Sequence, residues 1–296
     1  MKPGMSDRPL RSVLYVPASN ERALGKIASL GCDAVIIDLE DAVVPEVKAA
    51  ARETMRRFVA GRARDPRQMI VRINALSSDW GADDLSAAIE AGPDAILLPK
   101  VETPRDILEA DEAVDEAGGD TIALWAMIEN PRALLNIGAI AELGRTPAPR
   151  LACLVAGTND LVKETGIQMT ADRRHLSAWL MQLVLGAKAG NLAVLDGVSN
   201  DFRDLEAFGR ECAEGAAMGF DGKTLIHPGQ IDAANRAFSP SQGAIAEAEA
   251  IVAAFALAEN AGKGAISLDG RMVERLHLAQ AERLLAKAGN SGDKQP

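Results

Sequence analysis

Eight short apolar runs succeed one another between residues 12 and 228, separated by amphipathic stretches of helical length. The runs are Ser12 to Ala18, Ala34 to Glu40, Met69 to Asn74, Ala95 to Lys100, Ile122 to Glu129, Arg150 to Thr158, Ala193 to Val198 and Gly222 to Pro228. Short buried strands that alternate with helices favour a parallel sheet, because each crossover carries a helix back over the sheet. Eight such units close into a (β/α)8 barrel, and 296 residues hold one barrel of about 250 residues with a tail to spare. The fold class expected is α/β, a parallel barrel followed by a C-terminal helical extension. Nearly every run ends on a residue able to do chemistry: Glu40, Arg72, Lys100, Glu129, Asp160, Asp196 and His227. A barrel gathers those strand ends around one mouth, where catalytic groups lie.

Composition narrows the function classes. Aromatic residues make up only 3% of the chain and the apolar content of 48% comes mostly from Ala, Val, Ile and Leu, which suits strands buried on both faces. A formal charge of -10 opposes general attraction to nucleic acid or anionic lipid. Cys32, Cys153 and Cys212 are widely spaced and read as small buried thiols. The first nine residues lack an apolar signal core, and no run approaches the roughly 18 apolar residues of a membrane span. A cytoplasmic protein is expected.

Punctuation repeats along the chain. Pro45, Thr103-Pro104 and Asn130-Pro131 open helices that left-handed glycines, Gly61, Gly118 and Gly144, are expected to close. Gly190 and Gly219 end helices just before strands. The barrel domain is placed at residues 10–238 and a helical extension at 239–288, serving as a lid or an oligomer arm, with a disordered tail at 289–296. In that extension, Ser239-Pro240 opens one helix reaching about Asn260, and a second runs from Gly270 to Lys287.

Glu129 and Asp160 form the sharpest pair. Each lies just beyond an adjacent strand, and neighbouring strands are about 4.8 Å apart, so both carboxylates can reach one hard cation such as Mg²⁺. Asn130-Pro131 starts a helix directly after Glu129, and Gly157-Thr158-Asn159 offers backbone N–H groups to a substrate carboxylate. Helix capping or pairing with Lys or Arg across the mouth is the alternative. Arg72 interrupts a buried strand and must meet an acid or an anionic ligand; Asp38, Glu40 and Glu129 are the acids on offer. Asp38 and Glu40 share one face of their strand and can orient Arg72 or bind metal-held water. Lys100 and Lys223 admit a Schiff-base aldolase reading, with ion pairing as the alternative. His227 can serve as an acid or base or pack against backbone, while His175 and His277 fall on predicted helices. Arg11, Arg22 and Lys26 form a weak basic cluster around the first strand. No dinucleotide fingerprint, Walker sequence, CxxC pair or HExxH occurs, so nicotinamide and ATP chemistry lose support.

The motifs Arg11-Ser12-Val13-Leu14-Tyr15-Val16-Pro17-Ala18, Asp38-Leu39-Glu40-Asp41-Ala42-Val43, Val71-Arg72-Ile73-Asn74, Leu98-Pro99-Lys100-Val101-Glu102, Met127-Ile128-Glu129-Asn130 and Leu225-Ile226-His227-Pro228 occur in order. Together they resemble the HpcH/HpaI aldolase and citrate lyase superfamily, in its citrate lyase β-subunit-like branch with the malyl-CoA lyases. The resemblance spans residues 11 to 288. It implies a TIM barrel, assembly as trimers or hexamers, and Mg²⁺ held by Glu129 and Asp160. It further implies that Arg72 contacts substrate and steadies an enolate oxygen, and that the first loop, with Arg22 and Lys26, lies toward coenzyme A. A C-terminal carboxylate reaches a neighbouring subunit's site in malyl-CoA lyases, where it is an aspartate; here that position is Glu274, one methylene longer. A misplacement near 1 Å can cost about a hundredfold in rate. That departure favours thioester hydrolysis or an altered substrate, while the resemblance as a whole implies Mg²⁺-dependent carbon–carbon cleavage of a short β-hydroxyacyl-CoA carrying a carboxylate. Thioester hydrolysis, a citryl-carrier lyase subunit and a non-catalytic acyl-CoA-binding subunit are the alternatives.

Overall fold

The computed structural model describes residues 8–61, 67–146 and 149–292. Eight parallel strands, β1 (Ser12–Pro17), β2 (Ala34–Asp38), β3 (Gln68–Arg72), β4 (Ala95–Leu98), β5 (Ala123–Ile128), β6 (Leu151–Ala156), β7 (Ala193–Asp196) and β8 (Gly222–Leu225), close in sequence order into one barrel. Each lies within the apolar run that predicts it, except that β3 starts one residue earlier at Gln68, and helices connect successive strands around most of the ring. This is the TIM barrel arrangement. Residues alternate between two environments. Val13, Ile36, Ile70, Leu97, Trp125, Val155 and Leu195 pack together as the inner core. A period of two then carries Asp38, Arg72, Met127 and Glu129 onto the same inward face, one or two steps nearer the mouth.

The opposite face of β7 and β8 carries an ion network. Lys223 Nζ donates to Asp196 Oδ2 at 2.7 Å and approaches Glu211 Oε1 at 2.7 Å, while Arg173 Nη1 donates to Asp196 Oδ1 at 2.9 Å. Lys223 and Asp196 are fully buried. Burial pushes the Asp196 carboxyl up, but Lys223 and Arg173 outweigh it and hold the pKa below the ordinary value. Lys223→Met is expected to cost about 3–5 kcal/mol by leaving buried carboxylates undercompensated, measured as a lower urea midpoint. A loss below about 1 kcal/mol would show that the network contributes little.

The helix ends differ in detail from expectation. Gly92, Gly118 and Gly219 are left-handed, but Gly61, Gly144 and Gly190 are not. A Cβ on Gly144 would lie 2.3 Å from the Gly190 carbonyl oxygen, and one on Gly190 would lie 2.3 Å from that of Ala141. These two glycines let neighbouring segments touch backbone to backbone. The helix expected after Asn130 is two short ones, Pro131–Leu135 and Ile137–Glu142, parted at Asn136, whose side chain donates to the Glu102 carbonyl.

A second compact unit begins at Phe238. Its first helix, Gln242–Ala256, is capped by Ser241 and ends earlier than predicted. A two-stranded antiparallel hairpin follows, β9 (Ala265–Leu268) and β10 (Arg271–Glu274), and then the helix Arg275–Gly292. The hairpin replaces the start of the predicted second helix because Asp269 (φ 50°) and Gly270 (φ 77°) form its turn. Phe255, Ile266 and Val273 make this unit's small core. The tail expected at 289–296 is helical as far as Gly292, and 293–296 lie outside the described residues. Among the described residues no helix is long and apolar enough to cross a membrane.

Candidate active site

The register of β2 and β3 sets Asp38 beside Arg72. Arg72 Nε and Nη2 donate to Asp38 Oδ1 and Oδ2, each at 2.7 Å, a bidentate fork. Asp38 also accepts from the N–H groups of Glu40 at 2.9 Å and Ala42 at 3.2 Å. Its oxygens are thus committed to holding Arg72 and the following turn. This gives Asp38 the role of positioning Arg72, and Asp38 also lines the cavity at the mouth. The remaining Arg72 nitrogen, Nη1, lies 3.6 Å from Met127 Sδ and 2.9 Å from Glu40 Oε2. The Tyr15 ring lies 4.8 Å from the Arg72 guanidinium carbon. Burial, opposed by Arg72, raises the Glu40 carboxyl to about 7.

Across the mouth, β5 and β6 bring Glu129 and Gly157 together. A Cβ on Gly157 would stand 2.2 Å from Glu129 Cβ, so only glycine fits there. Gly157 leads into the helix Thr158–Thr165, which carries Asp160 in its first turn. One cation spans the acids. Lys100 Nζ donates to Asp160 Oδ2 and lies 3.6 Å from Glu129 Oε1 and 3.7 Å from Glu40 Oε1. The Lys100 N–H also donates to Glu129 Oε1 at 2.6 Å, from a backbone held at φ 54°. Burial opposes the Lys100 charge, but Asp160, Glu129 and Glu40 together raise its pKa. Burial also raises the Glu129 carboxyl, with Lys100 opposing.

A cavity of about 320 Å³ joins the two halves. Tyr15, Arg72, Met127, Glu129 and Asp160 line it, with Gly157, Thr158 and Asn159 of the helix start. First-turn N–H groups have no intrahelical partner, so this wall suits an anionic group. Asn200, Asp41 and Thr224 also line the cavity, and the sequence reading assigned them no role. The Asn200 amide donates to Asn159 Oδ1 at 2.8 Å, linking the loop after β7 to the start of the helix Thr158–Thr165. Lys48 was likewise missed: it is buried and donates to the carbonyls of Leu39 and Glu40 and to Asn74 Oδ1, locking the turn that follows β2. Its only sequence signal is a lysine at the start of the helix Lys48–Ala60, which is indistinguishable from a solvated one.

Several candidates fall elsewhere. Arg11 precedes β1 and forks onto Asp33 with two 2.8 Å bonds at the N-terminal end of the strands, away from the mouth, which corrects its coenzyme A assignment. Lys223 faces outward in its ion network and Lys100 is held as an ammonium, so neither offers the free amine that a Schiff base needs. Asp196 is committed to the same network. His227 is exposed, accepts from the Gly229 N–H at 3.0 Å and stacks on Phe202 at 4.7 Å. His175 sits in a turn rather than a helix, and His277 accepts from the Glu274 N–H. Arg22, in the short helix Glu21–Leu24, and Lys26 just after it are exposed on the segment that follows β1, on the mouth side. Cys32, Cys153 and Cys212 are buried free thiols.

The sequence model of the HpcH/HpaI aldolase/citrate lyase family matches residues 11–228. The chain belongs to this family. Relatives in it include carbon–carbon lyases, and the chain is an enzyme of this family. It is 46% identical over 280 residues to a (3S)-malyl-CoA thioesterase of Cereibacter sphaeroides, covering 95% of each protein. It is 33% identical to the human mitochondrial citramalyl-CoA lyase, covering 97% of this chain and 87% of that one. The CitE protein of Mycobacterium tuberculosis, solved in complex with magnesium, acetoacetate and coenzyme A, superposes with a TM-score of 0.77 at 30% identity, covering 95% and 98% of the two chains.

Proposed function

We propose that this chain is a Mg²⁺-dependent enzyme that cleaves or forms the carbon–carbon bond of a short β-hydroxyacyl-CoA bearing a carboxylate, of the malyl-CoA type. The observation that carries this reading is the convergence of Glu129 and Asp160 on one cation, the Lys100 ammonium, across the cavity from Arg72. Two carboxylates with hard oxygens fit Mg²⁺, which keeps its remaining positions for water and substrate oxygens. Glu129 and Asp160 are the residues that would hold it. Bound there, the ion supplies Lewis-acid polarisation of the oxygens of a 2-hydroxy acid. The magnesium, acetoacetate and coenzyme A in the CitE complex support this choice of ligands.

Arg72 lines the cavity, with one edge fixed by Asp38 and Nη1 beside Glu40 and Met127, so it is poised to offset negative charge growing on a thioester oxygen. The N-terminal turn of the helix Thr158–Thr165 receives the substrate carboxylate. Arg22 and Lys26 lie on the loop toward which the coenzyme's phosphates extend. In cleavage, the substrate hydroxyl gives its proton to a carboxylate base, its carbon becomes the carbonyl of the oxo acid, and the bond between that carbon and the thioester's α-carbon breaks. Its electron pair passes to the α-carbon as an enolate, which a carboxylic acid then protonates. Glu274 of a neighbouring subunit in a homotrimer or hexamer is that acid.

Hydrolysis of the same thioester is a second reading, favoured by the 46%-identical malyl-CoA thioesterase and by glutamate rather than aspartate at position 274. Product analysis separates the two. Malyl-CoA, citramalyl-CoA and citryl-CoA are incubated with enzyme in Mg²⁺ and in EDTA. Acetyl-CoA with glyoxylate or the matching oxo acid, formed only with Mg²⁺, supports cleavage, whereas free CoA with the free acid indicates hydrolysis. Binding without turnover of any substrate would leave an accessory thioester-binding subunit as the better description.

A further inference from the structure

We propose that Lys100 is a tethered counter-ion that occupies the divalent-cation position in the metal-free protein and must be displaced when metal binds. The inference rests on the assignment of Glu129 and Asp160 as metal ligands and adds a competitor for them. Three carboxylates from three separate strand ends surround the Lys100 ammonium: Asp160 by a direct bond, Glu129 at 3.6 Å and Glu40 at 3.7 Å. A divalent ion bound by Glu129 and Asp160 would stand next to a like charge, so ammonium and metal exclude each other.

The anchor and the arm are built differently. The Lys100 backbone is pinned, with φ at 54° and its N–H on Glu129 Oε1 at 2.6 Å, which keeps Glu129 oriented whichever cation is present. The side chain is 40% exposed. It also borders a second cleft of about 220 Å³ between the loops after β3 and β4, which Asp106 and Glu109 line. The displaced ammonium therefore has a solvent-facing cleft to enter, although Asp106 there caps the start of its helix and Glu109 pairs with Arg105. Glu129, with only 2% of its surface accessible, keeps a cation beside it in both states and never remains a buried bare charge.

Mn²⁺ binding to the full chain, followed by the electron paramagnetic resonance of free Mn²⁺, tests this on wild type, Lys100→Met, Lys100→Gln and Glu129→Gln. Both lysine variants keep the backbone N–H bond, and a second variant guards against misfolding of the first. The expected result is Mn²⁺ binding at least ten-fold tighter in the lysine variants. In EDTA they should melt below wild type, and Mn²⁺ should close that gap, a pattern that a merely structural lysine would not produce. Equal or weaker Mn²⁺ binding in both lysine variants, with wild-type binding abolished by Glu129→Gln, would overturn the competition and leave the metal site standing. Failure of both wild type and lysine variants to bind millimolar Mn²⁺ would overturn the metal site and this inference together.

Discussion

Arg72→Met is expected to lower kcat by about 100- to 1000-fold, the usual effect of removing a donor to a developing oxyanion, and to cost about 3–5 kcal/mol of stability. The two losses have different origins. Asp38 is 1% exposed and both of its oxygens accept from Arg72, so methionine strands a buried carboxylate. Adding Asp38→Asn removes that charge and should return most of the stability, because the stranded carboxylate rather than the missing guanidinium is the main cost. Activity should not return. Urea denaturation and steady-state rates on the single and double variants give the four numbers needed. Near-wild-type kcat in Arg72→Met would remove Arg72 from the chemistry, and a double variant as unstable as the single would refute the stranded-charge account.

Gly157→Ala should disable the opposite wall of the cavity without any change of charge. The added methyl would lie 2.2 Å from Glu129 Cβ and 2.8 Å from its Oε2, closer than carbon and oxygen atoms tolerate, so Glu129 must move. A displacement near 1 Å at a positioning group costs about a hundredfold in rate. We expect kcat to fall by about that factor, with Mn²⁺ affinity falling at least tenfold. Gly138→Ala is the matched control. It sits in the helix Ile137–Glu142 with nothing within 4 Å of the new Cβ, so a gain of up to about 1 kcal/mol in stability and unchanged kinetics are expected. Wild-type metal affinity in Gly157→Ala would mean that Glu129 does not hold the ion.

What could be read from the residue order was whatever depends on period and punctuation. The eight strands are legible because each is a short apolar run closed by turn residues. Glu129, Asp160 and Arg72 are legible because strand ends of a closed barrel must converge. Facing was harder to read. Asp196 stands at a strand end like Arg72, and Lys223 pairs beside it from β8, yet a shift of one residue in phase turns both outward, and only the pairing register fixes that phase. Arg11 looked like a mouth residue because it touches the first strand, but it lies at the strand's other end. The hairpin β9–β10 carried a usable signal, Asp269-Gly270 between alternating apolar residues, that the helical reading passed over. The tethering of Lys100 depends on three loops meeting in space, and no local pattern encodes it.

Trp125 stands two residues before Met127 on β5, in the inner core beneath the cavity, and only 2% of it is accessible. Met127 touches both Arg72 and the Tyr15 hydroxyl through its sulfur. The indole is thus separated from the guanidinium by one polarisable side chain. Of the three tryptophans, Trp80 and Trp179 lie nearer solvent. The molecule therefore contains its own optical reporter, a blue-emitting fluorophore placed where occupancy of the chamber alters its surroundings, with no label to attach.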